Sequence, residues 1–137
     1  MIETVVLSAP GTYRREWLSF LKSVPALHLA AITETLPDFL AAARAFRPGL
    51  AILDETVFGD GGPAMLAGLR DEEIVAGCLI LVENLQQLQQ AADMGCGHAL
   101  LRGFAAREFF EHLSSLCPGK VDEVPADAAA TRTEAGP

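Results

Sequence analysis

Lysine and arginine are scarce, 10 against 18 aspartates and glutamates in 137 residues, for a formal charge of -8. They nowhere gather into a stripe that could neutralise phosphates along a duplex, so direct nucleic-acid binding is not expected. Cysteine is as thin: Cys78, Cys96 and Cys117 are odd in number and lack CxxC or other metal-ligand spacing, so they read as reduced, packed thiols. Long apolar runs are missing, since none approaches the roughly 18 to 20 residues a membrane helix needs, and the opening MIETVV has neither the basic start nor the apolar centre of a secretory signal. The expectation is a cytoplasmic chain with no membrane contact. His28, His98 and His112 have no ligand spacing and imply no metal site; His28 reads as a half-buried strand residue and His112 as a solvated one.

What is present is apolar and periodic. Hydrophobic residues make up 50% of the chain, ample for one packed domain. The runs TVVLSA (4–9), ALHLAAI (26–32), LAILD (50–54), CLILVE (78–83) and HALL (98–101) have strand length, and they are apolar nearly throughout, as parallel strands covered on both faces should be. Between them lie amphipathic stretches. Tyr13, Trp17, Leu21 and Val24 share one face of a first helix that Pro25 stops; Leu36, Phe39, Leu40 and Ala43 line a second, with Pro37 in its first turn. Pro63 opens a third helix carrying Met65, Leu66 and Leu69. In NLQQLQQAADMG, Asn84 suits an N-cap, Gly95 a C-terminal stop, and Leu85, Leu88 and Ala92 fall on one side. The last helix, 105–117, gathers Phe109, Phe110, Leu113 and Leu116. Strict alternation of five strands with five helices predicts a three-layer, doubly wound α/β domain over residues 1–118, with a parallel sheet and right-handed crossovers. The remainder, 119–137, has almost no large apolar residues and is expected to be a disordered tail or linker.

In an open α/β sheet, sites form outside the carboxyl ends of the strands, which directs attention to Ser8, Ala9, Asp54, Val82, Glu83 and Arg102. At these positions the sequence resembles a family, the receiver domains of two-component response regulators. FRPGLAILDETVFGDGG is similar to the segment that ends in the phosphoacceptor aspartate, which places Asp54 at the phosphorylation position; AADMGCGHALLRGFAAREFFEHL is similar to the end of the domain, from the turn before strand five to the last helix. The resemblance implies a flavodoxin-like, CheY-like sheet in the order 2-1-3-4-5.

The departures are chemical. Where working receivers carry two adjacent acids that help hold magnesium, this chain has Ser8 and Ala9, a poor set of oxygen ligands. The hydroxyl that bonds the phosphoryl group aligns with Val82, and the small residue after it with Glu83. The lysine ending strand five aligns with Arg102 and the aromatic of strand five with Ala99. Losing metal ligands, hydroxyl donor and lysine removes most of what phosphoryl transfer relies on. The resemblance therefore implies an atypical member, a pseudo-receiver with a degenerate pocket: no enzyme, no cofactor, and magnesium only weakly and only if phosphorylation is retained. Its partner would be a protein, such as a histidine kinase, an output domain or another signalling protein, with a homodimer through helix four, strand five and helix five. Arg102 is expected to reach both Asp54 and Glu83.

Other readings stay open. A conventional receiver phosphorylated on Asp54 is one, and a small flavodoxin-like enzyme or cofactor binder another. An aspartate before a glycine-rich loop also suits a turn cap. The loop GDGG lacks both GxGxxG and GxxxxGK[ST] and reads as a loop and not a phosphate cradle. DETV resembles the nucleophile segment of haloacid-dehalogenase-like phosphatases, but Thr56 stands where those need a second aspartate.

Overall fold

The structure, a computed structural model, describes residues 1–117, without the side chains of Thr12 and Tyr13. The tail at 119–137 and the face assigned to Tyr13 therefore lie outside the described residues. Five strands and five helices alternate: β1 Ile2–Leu7, α1 Thr12–Lys22, β2 Leu27–Thr33, α2 Leu36–Phe46, β3 Leu50–Leu53, α3 Gly62–Asp71, β4 Cys78–Val82, α4 Leu85–Asp93, β5 Ala99–Leu101 and α5 Ala106–Leu116. All strand pairs are parallel, in the order β2-β1-β3-β4-β5. This is the sheet the alternating pattern and the resemblance predict.

Alternation along each strand divides the core in two. Ile2, Val6, Leu50, Ile52, Leu79, Leu81 and Leu100 face α1 and α5, where they meet Leu18, Leu21, Phe109, Phe110 and Leu113. Val5, Leu7, Ala51, Leu53, Ile80 and Val82 face α2, α3 and α4. The central strands are buried on both sides, and this is why they read as unbroken apolar runs. On the first face Phe20 stands edge-on to Phe109 at 5.1 Å and to Phe104 at 5.8 Å, which ties α1 to α5 and to the loop after β5.

Local signals set the boundaries. Thr35 caps α2 by accepting from Asp38 N–H, Pro37 sits in the first turn, and Asn84 caps α4 by accepting from Gln87 N–H at 2.8 Å. Gly62 opens α3 so close to Val57 that a side-chain carbon there would collide with the Val57 carbonyl. Three sequence expectations need correction. Val24 lies past the end of α1 and is buried from the following turn. The inner face of α4 is Leu88 and Ala91, continued by Met94 just past its end, while Leu85 is 71% exposed and Ala92 exposed, because this nine-residue helix touches the sheet along a narrow i, i+3 stripe. His28 is the exposed histidine, paired with Glu3 at 2.7 Å, whereas His112 is part-buried and shares a hydrogen bond with His98 at 3.0 Å.

Candidate functional site

The carboxyl ends of β1, β3, β4 and β5 frame a cleft of about 240 Å³ lined by Ser8, Ala9, Pro10, Gly11, Arg14, Trp17, Asp54, Glu55, Leu81, Glu83 and Arg102. Five of the six residues singled out from the sequence meet here. Val82 does not: strand alternation turns it into the opposite core, fully buried, so β4 offers the cleft Leu81 and Glu83.

Asp54 directly follows β3 and is 7% exposed. Its backbone N–H donates to Leu7 O at 3.0 Å, continuing the ladder to β1. One carboxylate oxygen, Oδ1, accepts from Thr56 N–H at 2.9 Å and so caps a single 3-10 turn at Glu55–Phe58. The other, Oδ2, accepts from Ala9 N–H at 2.8 Å. A carboxylate buried this far must have its oxygens satisfied, and two backbone donors do so without any cation.

Ser8 is equally committed. Its N–H donates to Thr33 O at 2.9 Å, and its hydroxyl, buried at 1% exposure, accepts from the indole N–H of Trp17 at 3.2 Å. Magnesium asks for near-octahedral oxygen ligands with carboxylate charge. Ala9 has no side-chain oxygen, the Ser8 hydroxyl is held by Trp17, and both Asp54 oxygens already carry N–H donors. Among the described residues no group of three or more His, Cys, Asp or Glu is placed to hold a metal. The residues present do not fit magnesium.

Arg102, fixed by its N–H to Val82 O at 2.7 Å, extends over the cleft and pairs with Glu83 at 2.7 Å and with Glu55 at 3.8 Å. The expected second partner was Asp54; the structure gives Glu55. The reason lies in the capped turn, which spends Asp54 on backbone donors and lifts the next carboxylate toward the guanidinium. Burial pushes the Glu55 carboxyl above its ordinary range, and the negative charges of Asp54 and Glu83 add to that, outweighing the opposing pull of its backbone hydrogen bond and of Arg102. At the far wall Arg14 pairs with Glu34 at 2.7 Å.

Beside the polar cleft lies an apolar one of about 260 Å³, lined by Glu16, Phe20, Phe104 and Ala106 among others. Trp17, Leu81 and Arg102 line both. Arg14, Trp17 and Glu55 were not anticipated as site residues. Glu55 had a signal, its place beside Asp54 in DETV; Arg14 and Trp17 looked like ordinary helix positions. The assembled network is a set of ion pairs and backbone bonds that holds two strand ends and a turn together. It presents no hydroxyl on β4 and no lysine on β5 to a phosphoryl group.

No protein-family model matches the sequence, and no curated protein does. Solved structures do resemble the chain. A LuxR-family two-component response regulator from an Aurantimonas species superimposes with a TM-score of 0.71 at 15% identity, covering 98% of this chain and 97% of that one. The signal receiver domain of the response regulator NarL from Mycobacterium tuberculosis gives 0.70 at 19%, covering 86% and 97%. The isolated receiver domain of RcsB from Salmonella enterica, solved with a phosphomimetic beryllofluoride, gives 0.69 at 14%, covering 94% and 96%. Sheet order, helix placement and near-complete mutual coverage agree: this chain has the fold of the response-regulator receiver domain.

Proposed function

We propose that this chain is a non-enzymatic signalling module of receiver type whose pocket is set permanently by internal ion pairs and is not switched by phosphorylation. The observation that carries the reading is the Arg102–Glu83 pair at 2.7 Å above an Asp54 whose two oxygens are already taken by Ala9 and Thr56 N–H. A phosphoryl group entering there would displace those bonds and meet the carboxylates of Glu55 and Glu83, with no built magnesium site to offset the charge.

Output would then pass by protein contact, to a histidine kinase, an output domain or another signalling protein, in the cytoplasm. The surface of α4, β5 and α5 suits this: Gln86, Gln89, Gln90, Arg107 and Glu111 are exposed there around Leu85 and Leu101, themselves 71% and 37% exposed. A homodimer through this face would be polar at its rim and concentration-dependent. The DNA-binding regulators among the similar structures act on DNA as those proteins; this acidic chain has no basic stripe for it. Among the described residues no helix is long and apolar enough to cross a membrane.

The test is intact-mass measurement after incubation with acetyl phosphate and millimolar magnesium, with Trp17 fluorescence followed in parallel. No phosphoryl adduct and unchanged fluorescence are expected. Stoichiometric aspartyl phosphate would overturn the proposal and restore the conventional receiver, while a coloured or co-purifying ligand would point to the flavodoxin-like alternative.

A further inference from the structure

At the opposite end of the sheet from the cleft, Cys78 opens β4 and Cys96 lies in the turn between α4 and β5. The two strands join with Ile80 N–H donating to His98 O at 3.0 Å, and this brings both cysteines side by side just before the first ladder bond. Their sulfurs stand 3.3 Å apart, the Cys78 thiol donating to Cys96, and both residues are buried. We propose that Cys78 and Cys96 form an oxidation site, a thiol pair that a hydroperoxide converts into an intramolecular disulfide.

The chemistry follows from the asymmetry of the pair. The hydrogen bond donated by Cys78 is the main effect that holds the Cys96 thiol below its ordinary range against the opposing effect of burial, and the Arg70 guanidinium assists; the same hydrogen bond, with burial, pushes Cys78 up. Cys96 accepts the Cys78 hydrogen bond, turns its own thiol to His98 O at 3.3 Å and sits in the turn, whereas Cys78 is held in β4; Cys96 is accordingly assigned as the attacking sulfur. Its thiolate attacks one peroxide oxygen, breaking the O–O bond; Cys96 becomes a sulfenic acid and the other oxygen leaves as hydroxide or alkoxide. The Cys78 sulfur then attacks the Cys96 sulfur, the S–O bond breaks, and the sulfenic oxygen leaves as water with the Cys78 proton. Two thiols have lost two electrons and the peroxide has gained them.

Forming the S–S bond asks the sulfurs to close by roughly 1.3 Å, toward the usual length near 2.05 Å. The turn can supply that movement. Gly95, at φ 84°, and Gly97 flank Cys96, and a side-chain carbon built on Gly97 would have nothing within 4 Å. Cys96 is 4% exposed, so the proposal requires the same movement to admit a small peroxide. Once formed, the bond would close a covalent loop around β4 and α4 and pin the start of β5, the strand at the centre of the proposed partner surface. The pair stands on its own geometry, whether or not the pocket reading holds.

The experiment oxidises the folded wild-type chain with hydrogen peroxide, blocks remaining thiols with an alkylating agent in denaturant, and maps the peptides by mass. The expected product is a monomer lighter by two hydrogens, with Cys78 linked to Cys96 and with Cys117, on the other face of the sheet, still alkylated. With dimedone present, Cys78→Ser is expected to carry the sulfenic adduct on Cys96, whereas Cys96→Ser gives no adduct on Cys78. The wild-type map decides even where a variant folds poorly. Two retained thiols at a dose that oxidises the urea-unfolded chain, or a link that is intermolecular or involves Cys117, would overturn the proposal; an adduct on Cys78 in Cys96→Ser would overturn the assignment of the nucleophile.

Discussion

Removing the Arg102 guanidinium is the most informative perturbation of the cleft. The Arg102 and Glu83 side chains are 30% and 39% exposed, so the pair is neither a surface bridge nor a buried one. Two unit charges about 4 Å apart attract by about 4 kcal/mol at an effective dielectric near 20, and the hydration regained on separation returns most of that. Exposed pairs contribute about 0 to 1 kcal/mol, whereas removing one partner of a buried pair costs about 3 to 5 kcal/mol. The half-exposed geometry places Arg102→Ala at about 1 to 2 kcal/mol, or about 4 to 8 °C in a domain of this size. Glu83→Ala should cost less, because Arg102 keeps Glu55 at 3.8 Å. In the Arg102→Ala background the order reverses. Asp54, Glu55 and Glu83 then face one another without the guanidinium, so adding Glu83→Ala should recover about 0.5 to 1.5 kcal/mol of the loss. Thermal melts of the four proteins at pH 7.5 and low salt measure the coupling. Equal cost of Glu83→Ala in both backgrounds would refute the argument, and so would a silent Arg102→Ala.

Other perturbations follow from the same geometry. Because the folded-state carboxyl of Glu55 lies above its ordinary value of 4.5, its contribution to stability is fully present below that pH and lost as pH rises through the folded value, so Glu55→Gln should gain on wild type in melting temperature from pH 4.5 to 7; a constant difference would contradict this. His98 is shifted the other way, by burial and then by His112, so its contribution is present above 6.5 and lost as pH falls through its depressed value; His98→Gln should flatten the acid side of the stability profile measured by urea denaturation. Gly62→Ala drives a methyl into the Val57 carbonyl and should lower the melting temperature by several degrees. Gly68→Ala, in α3 with open space around it, should raise stability by about 0.5 to 1 kcal/mol, so the two substitutions change sign within one helix.

The architecture was readable because its strongest physical signals are local. Five apolar runs, with Thr35, Pro37, Asn84 and Gly95 among their flanking signals, leave little choice about where strands end and helices begin, and burial on both faces explains why the three central strands read as unbroken apolar runs. The site was legible only as positions. That Ser8, Ala9, Asp54, Glu83 and Arg102 share one cleft follows from the strand ends, yet their partners do not. Whether Arg102 meets Asp54 or Glu55 depends on one 3-10 turn, which depends on which oxygen of Asp54 accepts from Thr56, a difference of one bond with no periodicity to announce it. The inner stripe of α4 is hidden from the sequence for a similar reason: Leu85 and Leu88 are equally apolar, and only the contact with the sheet distinguishes them. The Cys78–Cys96 approach was invisible, since an 18-residue separation carries no spacing rule.

The two bonds accepted by Asp54 bear on how its role can be probed. An asparagine has the same outline but a different polarity, with one acceptor oxygen and an NH2 that only donates. Placed between the N–H of Ala9 and the N–H of Thr56, it can satisfy one of them and must point its own hydrogens at the other. The usual conservative swap for an aspartate is thus, in this chain, a donor-against-donor clash joining the ends of β1 and β3. A phenotype of Asp54→Asn would report a loosened hinge between two strands as readily as a lost reaction, and only a measurement on the unaltered carboxylate separates them.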